Sequence, residues 1–402
     1  MPRLHASQHI FCNATSGYFP NQGRGFQTVA VAEEMVRTED LRALEDAAFY
    51  TVSPERRAAG DFPVKQTFFR LPSDKFAIGQ TVDWGTDSVG REGNYLAYHL
   101  ILSRDELLAV GANPFVILDA ARLAGVGIDL TPRALPPLVI DVTPVEPDFY
   151  CFDGIRHELL ANLAAASVDR GEKTALLIGD EAKAEGLLRG LFAAMAAEER
   201  LHLTFSTHFY ESSHLRSLFT LATVRSQAEA PAQENYVVFD LDDGEFTRIP
   251  PASAYADWLA DCLLSRRWGE IIAFNGALDG LRYGREIRRN SLPTSAKACK
   301  ALWERSGTAV ARALIGDGRL VAEFLGHLPS PQSLAGALLN VAAPSEMCGA
   351  NTLAEDVNAC LSALRSAATR KAWRAWVKRW NGDPMLEPIT QNQRQWWKRL
   401  WQ

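Results

Sequence analysis

Residues 85–102 read Gly85-Thr-Asp-Ser-Val-Gly-Arg-Glu-Gly-Asn-Tyr-Leu-Ala-Tyr-His-Leu-Ile-Leu102, a glycine-punctuated polar loop running straight into an apolar strand. Glycines at 90 and 93 permit φ > 0 and close backbone approach. Arg91 between them carries donors in a fixed planar fork that suits a carboxylate or a phosphate. Asp87 lies just upstream, Asn94 follows the second glycine, and His99 sits on the strand. The residue types leave two readings open. Arg91 holds an anion or a partner's acidic residue, with Asp87 and His99 setting its geometry. Alternatively, Arg91 pairs with Asp87 and locks the start of the strand, as half-buried polar clusters often do.

Outward from this loop, residues 3–150 read as strand-rich. Alternating or apolar runs bounded by Gly, Pro and Asn predict strands at 8–12, 27–32, 64–71, 75–82, 96–102, 115–118 and 138–142. A helix is expected over 38–49, burying Leu41, Leu44 and Phe49, and a short one after Ser103. The prolines between 132 and 147 suggest a boundary. Beyond it the pattern alternates: helix 153–168, strand 174–178, helix 180–197, then strands 201–207, 218–224 and 236–241. Such alternation argues for a partly parallel α/β layer. From Ser253 helices take over, at 253–268, 293–305, 307–314, 318–327, 331–341, 352–367 and 369–380. The expected class is α+β: a strand-rich N-terminal domain (1–147), an α/β middle domain (148–250) and a helical C-terminal region (251–402).

Several residues carry a resemblance. Gln8-His9 on an apolar strand, Gly17-Tyr18, Gly25-Phe26-Gln27, then Asp87, Gly90-Arg91, Gly93-Asn94-Tyr95 and His99 resemble the type-2 N-terminal domain of bacterial GTPase-associated proteins. The run Arg200-Leu-His-Leu-Thr-Phe-Ser-Thr207 resembles that family's middle domain. The resemblance implies a place in a multi-component, NTP-dependent anti-phage conflict system. There the chain would be an adaptor beside a separately encoded GTPase or other NTPase. The family name refers to association with a GTPase, not to GTPase activation.

The residues themselves argue against most catalytic classes. No GxxxxGK[ST] or GxGxxG follows the apolar strand ending at Ile178. The turn there offers Gly179-Asp180-Glu181, whose carboxylates would satisfy the helix dipole themselves and repel a phosphate. His202, His208 and His214 are spaced by six, with no HExxH or Cys/His cluster to support a metal. His9 and Cys12 would point to opposite faces of one strand, and no GxSxG elbow exists. The six cysteines include no CxxC pair and read as reduced thiols. The expectation is therefore no catalytic residue, no metal and no cofactor, with an enzyme whose unfamiliar site lies around Asp87, Arg91 and His99 kept as an alternative. Met1-Pro-Arg-Leu-His5 lacks the apolar stretch of a signal peptide, and no apolar run reaches about 18 residues. The expected location is the cytoplasm.

Charge is mild overall, at −6, but unevenly placed. Six of the ten tryptophans fall at 373, 376, 380, 396, 397 and 401, and nine Lys/Arg face only Asp383 and Glu387 from Arg365 onward. Trp373, Trp376 and Trp380 share one helical face, with Arg374 beside it; Trp396 and Trp397 repeat the arrangement. A tail of this kind docks on the protein's own core, on a partner protein, or on nucleic acid or an anionic membrane surface, and the last of these makes the chain an effector acting through its tail. The candidate partner- or ligand-binding set is thus Asp87, Arg91, Asn94, His99, Trp373, Arg374, Trp376, Trp380, Trp396 and Trp397.

Overall fold

The computed structural model of the chain describes residues 2–20, 23–32, 38–87, 89–121, 129–142, 157–168, 175–209, 219–225, 237–242, 253–282, 293 and 295–316. The helices expected between 318 and 380, and all the tail tryptophans, lie outside them. The chain divides into two compact units, 1–275 and 276–402.

The first unit opens with β1 (Arg3–Ala14), β2 (Gly25–Val31), α1 (Thr38–Ala48), α2 (Pro54–Ala58), β3 (Lys65–Arg70), β4 (Phe76–Asp83) and β5 (Tyr95–Leu102). Then come α3 (Arg104–Ala109), α4 (Pro114–Ala121), β6 (Arg133–Ala134) and β7 (Leu138–Asp141). The alternating part contributes α5 (His157–Val168), β8 (Ala175–Ile178), α6 (Glu181–Ala194), α7 (Ala197–Arg200), β9 (Phe205–Ser206), β10 (Leu221–Val224) and β11 (Val237–Asp240). Last come α8 (Ala254–Leu264) and α9 (Trp268–Arg282), within which the division falls. In the second unit, α10 (Ala296–Gly316) has non-helical dihedrals at Ser306, the position where the sequence separates two helices. The class is α+β, as expected.

One sheet runs through the first unit in the order β11-β8-β10-β9-β3-β4-β5-β1-β2-β6, with β7 paired to β1 off that path. The β3-β4-β5-β1-β2 block is antiparallel. The β11-β8-β10-β9 block is parallel. The two blocks join where β9 pairs antiparallel with β3, Thr67 opposite Ser206 and Phe68 opposite Phe205. Helices α6 and α7 carry the chain from β8 to β9, the long return that parallel strands need.

Each face of the sheet has its own cover. Leu41, Ala43, Leu44 and Ala47 of α1 pack on Phe69, Ala77 and Ile101, and this cluster continues to Leu176, Ala222 and Val238 across the junction. On the other face Phe115 of α4 and Phe192 of α6 meet Phe68 and Phe205, with Phe115 stacked on Phe205 at 5.1 Å. Fully burying each such ring contributes about 1.5–3 kcal/mol.

Four expectations change. The helix expected over 253–268 ends at Leu264 as α8, and α9 (Trp268–Arg282) stands where no element is expected. Residues 115–118 form helix α4, not a strand: Pro114 occupies the first turn and the Asn113 side chain accepts the Phe115 N–H at 3.1 Å. A short apolar run cannot tell a strand from a buried helix by pattern. Phe49 is exposed because α1 stops at Ala48, and Tyr50 takes the buried position instead. The strand expected over 201–207 shrinks to Phe205–Ser206, preceded by α7. The helix after Ser103 is present and carries a full capping box, with Glu106 returning a bond to the Ser103 N–H at 2.8 Å.

One glycine is fixed by packing. Gly79 lies opposite Thr67 on one side and His99 on the other. A Cβ there would sit 2.8 Å from Thr67 Oγ1 and 2.9 Å from His99 Nε2, and closer still to the imidazole carbon between. Gly79→Ala is expected to destabilise the protein by about 1–3 kcal/mol, as overpacking does; denaturant unfolding measures it.

Candidate functional site

The glycine–arginine loop is a β-hairpin tip. Pairing of β4 with β5 runs from Phe76 opposite Leu102 to Asp83 opposite Tyr95. It continues through Trp84 N–H to Asn94 O (2.9 Å), Asn94 N–H to Gly85 O (3.1 Å), a Thr86–Glu92 bridge and Asp87 N–H to Arg91 O (2.8 Å). Asp87 closes the tip. Its Oδ1 accepts the N–H groups of Val89 and Arg91, both at 2.9 Å, and its Oδ2 accepts Arg91 Nε at 2.8 Å. The Arg91 N–H, with its guanidinium and the Val89 N–H, holds the Asp87 carboxyl below its ordinary pKa. Gly90 and Gly93 have φ of +83° and +88°, which explains why glycine stands there.

The two partners differ in exposure. The Asp87 side chain is 3% exposed and that of Arg91 is 73%. Among the described residues the Arg91 guanidinium bonds through Nε to Asp87, so the carboxylate fixes the side chain while most of it stays exposed. The Arg57 guanidinium of α2 lies beside Gly93, about 3.6 Å from where a Cβ would be. Trp84 and Val89 add exposed apolar surface on the same hairpin. Asn94 is buried and accepts the Asn13 N–H at 3.2 Å, tying the hairpin base to β1.

His99 takes no part in the hairpin. It is fully buried beneath α1, its Nδ1 3.1 Å from His9 Nδ1 and its ring stacked on His9 at 5.4 Å. His9 Nε2 lies 2.9 Å from Thr28 Oγ1, which donates to Glu45 Oε1 at 2.7 Å. On the same face, Lys65 is buried with its ammonium on the carbonyls of Ala47 (2.8 Å) and Phe49 (2.6 Å), at the C-terminus of α1. Carbonyls and helix dipole favour a cation there. Burial pushes Lys65 down to about 7 and His9 down to about 3, and it drives His99 down as well, helped by His9 and Lys65. Sequence reasoning placed His9 on a strand but missed Lys65, Thr28, Glu45 and Gly79. Their approach depends on strand register, which no local pattern announces.

A second cluster sits where the parallel strands end. In open α/β sheets ligands bind outside the carboxyl ends of the strands. Here that place is occupied by the chain's own ions. Asp180 caps α6 by accepting the Ala182 N–H at 2.8 Å and pairs with Arg225. Glu181 receives Arg56 of α2 and His208 Nδ1, while His208 Nε2 donates to Thr51 O at 2.7 Å. Burial would raise Glu181, but the bonds from His208 and Arg56 outweigh it and hold the carboxyl down to about 2. The expectation for the acidic turn at 180–181 thus has a concrete form: both carboxylates serve the helix and neighbouring cations. His208 is buried with Nδ1 3.3 Å from Glu181, and His202 is exposed. Among the described residues no three metal-ligating side chains converge. Cys12 is buried, and burial pushes its thiol up to about 11, away from nucleophilic use. No described helix is long and apolar enough to cross a membrane.

Residues 5–139 match the N-terminal domain, type 2, of GTPase-associated protein 1, and residues 152–243 match its middle domain. The chain belongs to the GTPase-associated protein 1 family. The two spans cover more than half of its length and meet at the β3–β9 junction. No curated protein matches the chain. Within the family's middle domain, the run Arg200–Thr207 is the junction itself. Arg200 donates to the carbonyls of Met195 (2.9 Å) and Gly111 (2.6 Å), and Thr207 exchanges bonds with Gln66 at 2.8 and 2.9 Å.

Two predictions follow from the buried charges. For Lys65 and both histidines the folded-state pKa lies below the unfolded one. Their contribution is therefore present above the unfolded pKa and lost as pH falls toward the folded one. Stability should rise with pH from 4.5 to 6.5 through the histidines, by about 1.4 kcal/mol per pH unit for each, and from 7 to 9 through Lys65. Lys65→Met should flatten the upper limb and ease the lower one only by the share that the Lys65 charge adds at His99, read by thermal melts across pH. Separately, Arg56→Met should cost up to about 3–5 kcal/mol by leaving Glu181 short of its cation. In the double variant Arg56→Met/Glu181→Leu much of that loss should return, a non-additivity that a double-mutant cycle measures.

Proposed function

We propose that the chain is a non-catalytic adaptor or regulatory subunit that associates with a separately encoded GTPase or other NTPase, in an anti-phage conflict system of bacteria. The observation that carries this reading is the joint occurrence of two GTPase-associated protein domains with ion pairs of the chain's own at the start of α6, where the parallel strand β8 ends. A helix N-terminus capped by Asp180 and followed by Glu181 offers a phosphate two carboxylates rather than free N–H groups. The nucleotide chemistry then belongs to the partner chain.

The hairpin tip is the docking element in this reading. Arg91 stands out from the surface with its Nε fixed, flanked by Trp84, Val89 and Arg57, and arginine and tryptophan are favoured anchors of protein interfaces. Asp87 and Asn94 position it. The tryptophan-rich tail around Trp373, Trp376, Trp380, Trp396 and Trp397 is a second candidate contact, supported by composition.

Co-expression with a candidate GTPase partner tests both parts. The expected result is a stable complex, and no GTP or ATP turnover by this chain alone. Arg91→Ala should weaken the complex about 10- to 100-fold with an unchanged melting temperature, because the backbone N–H bonds to Asp87 persist. Asp87→Ala should lower the melting temperature as well. Stoichiometric nucleotide binding with turnover abolished by a point substitution in this chain would overturn the non-catalytic assignment. A complex with nucleic acid that falls steeply with salt would shift the function to the basic tail.

A further inference from the structure

The buried row beneath α1 has a direction, and hydrogen-bond valence sets it. Thr28 Oγ1 has one proton and gives it to a carboxylate oxygen of Glu45 at 2.7 Å. Toward His9 Nε2, 2.9 Å away, the same oxygen can then only accept. His9 therefore carries its proton on Nε2. In a neutral imidazole the other nitrogen is a bare lone pair, so His9 Nδ1 is an acceptor. The 3.1 Å contact between the two Nδ1 atoms needs one donor, which must be His99. His99 is thus protonated on Nδ1 and bare on Nε2. That Nε2 is buried without a hydrogen-bond partner among the described residues, beside the gap that Gly79 leaves, with the unpartnered Thr67 hydroxyl on the gap's other side.

We propose that Glu45, Thr28, His9 and His99 form a directional hydrogen-bond chain, oriented by Glu45. It fixes the two histidines as opposite neutral tautomers and leaves His99 Nε2 as the one place where the row takes up a proton. Protonation there keeps every bond of the chain, whereas protonation of His9 Nδ1 first would set two N–H groups against each other. Among the described residues the titratable neighbours of the pair are Lys65 from β3 and Glu45 from α1, and β4 and β2 face it with Gly79 and Thr28. A proton on His99 adds a second cation beside Lys65 in a fully buried site, so acid loosens the roof that α1 makes over the sheet. The row is an acid-sensitive latch of the N-terminal domain, independent of the hairpin and of the partner reading.

Histidine tautomers are read directly by long-range proton–nitrogen correlation NMR on the full chain labelled with ¹⁵N-histidine. At pH 7.5 the expected pattern is His99 protonated at Nδ1 only and His9 at Nε2 only. On acidification the His99 Nε2 signal should move first, in the pH range where the amides of α1 lose hydrogen-exchange protection. Glu45→Ala frees the Thr28 proton to point at His9, so both tautomers should invert together. Identical tautomers at the two histidines, an imidazolium at pH 7.5, first protonation at His9, or an unchanged pattern in Glu45→Ala would each overturn the proposal.

Discussion

Everything in the first unit hangs on a junction of two residue pairs. Thr67 with Ser206 and Phe68 with Phe205 join an antiparallel meander to a parallel α/β layer, turning two half-sheets into one. So short a ladder is weak by itself. It holds because Phe68 and Phe205 are wholly buried against Phe115 and Phe192, and because Thr207 and Gln66 extend the pairing by one side-chain and one backbone bond. Non-directional burial supplies the energy, and the few hydrogen bonds supply the register.

The charges follow from that joint. Once β9 lies beside β3, helix α2 comes against the start of α6, and Arg56 meets Glu181 with His208 completing the shell. A half-buried carboxylate at a helix N-terminus needs cations, and the antiparallel block provides one. The crevice that the parallel strands open toward their carboxyl ends is therefore used for holding the two blocks together. That use is the physical reason to look outside this crevice for the chain's function.

The stretch 85–102 divides its labour along one strand. At the tip, Asp87 satisfies two backbone N–H groups and one guanidinium, so Val89 and Arg91 are tied to it and the Arg91 side chain is left outside. At the base, Asn94 reaches β1. Four residues further in, His99 belongs to a buried row with His9, Thr28 and Glu45, and requires glycine at 79. Residues that stand together in one motif serve two unrelated places, an exposed anchor and an interior lock.

The sequence by itself determined the elements and the character of the loop. Period and punctuation placed β4, β5, β8, β10 and β11 and the helix after Ser103. The glycines at 90 and 93 announced positive φ, and the spacing of Asp87 and Arg91 announced their pairing as one of two readings. Composition also showed that the turn after β8 carries acid where a phosphate site would carry glycine and lysine. Only the tertiary structure decided that 115–118 is a helix, because four apolar residues satisfy either period and burial on α6 settles which. It alone decided that the strand at 201–207 contracts to a two-residue seam, that Phe49 is left outside, and that His99 turns away from Arg91. These outcomes depend on register between strands and on packing between distant segments, and such long-range terms leave no local trace in the order of residues.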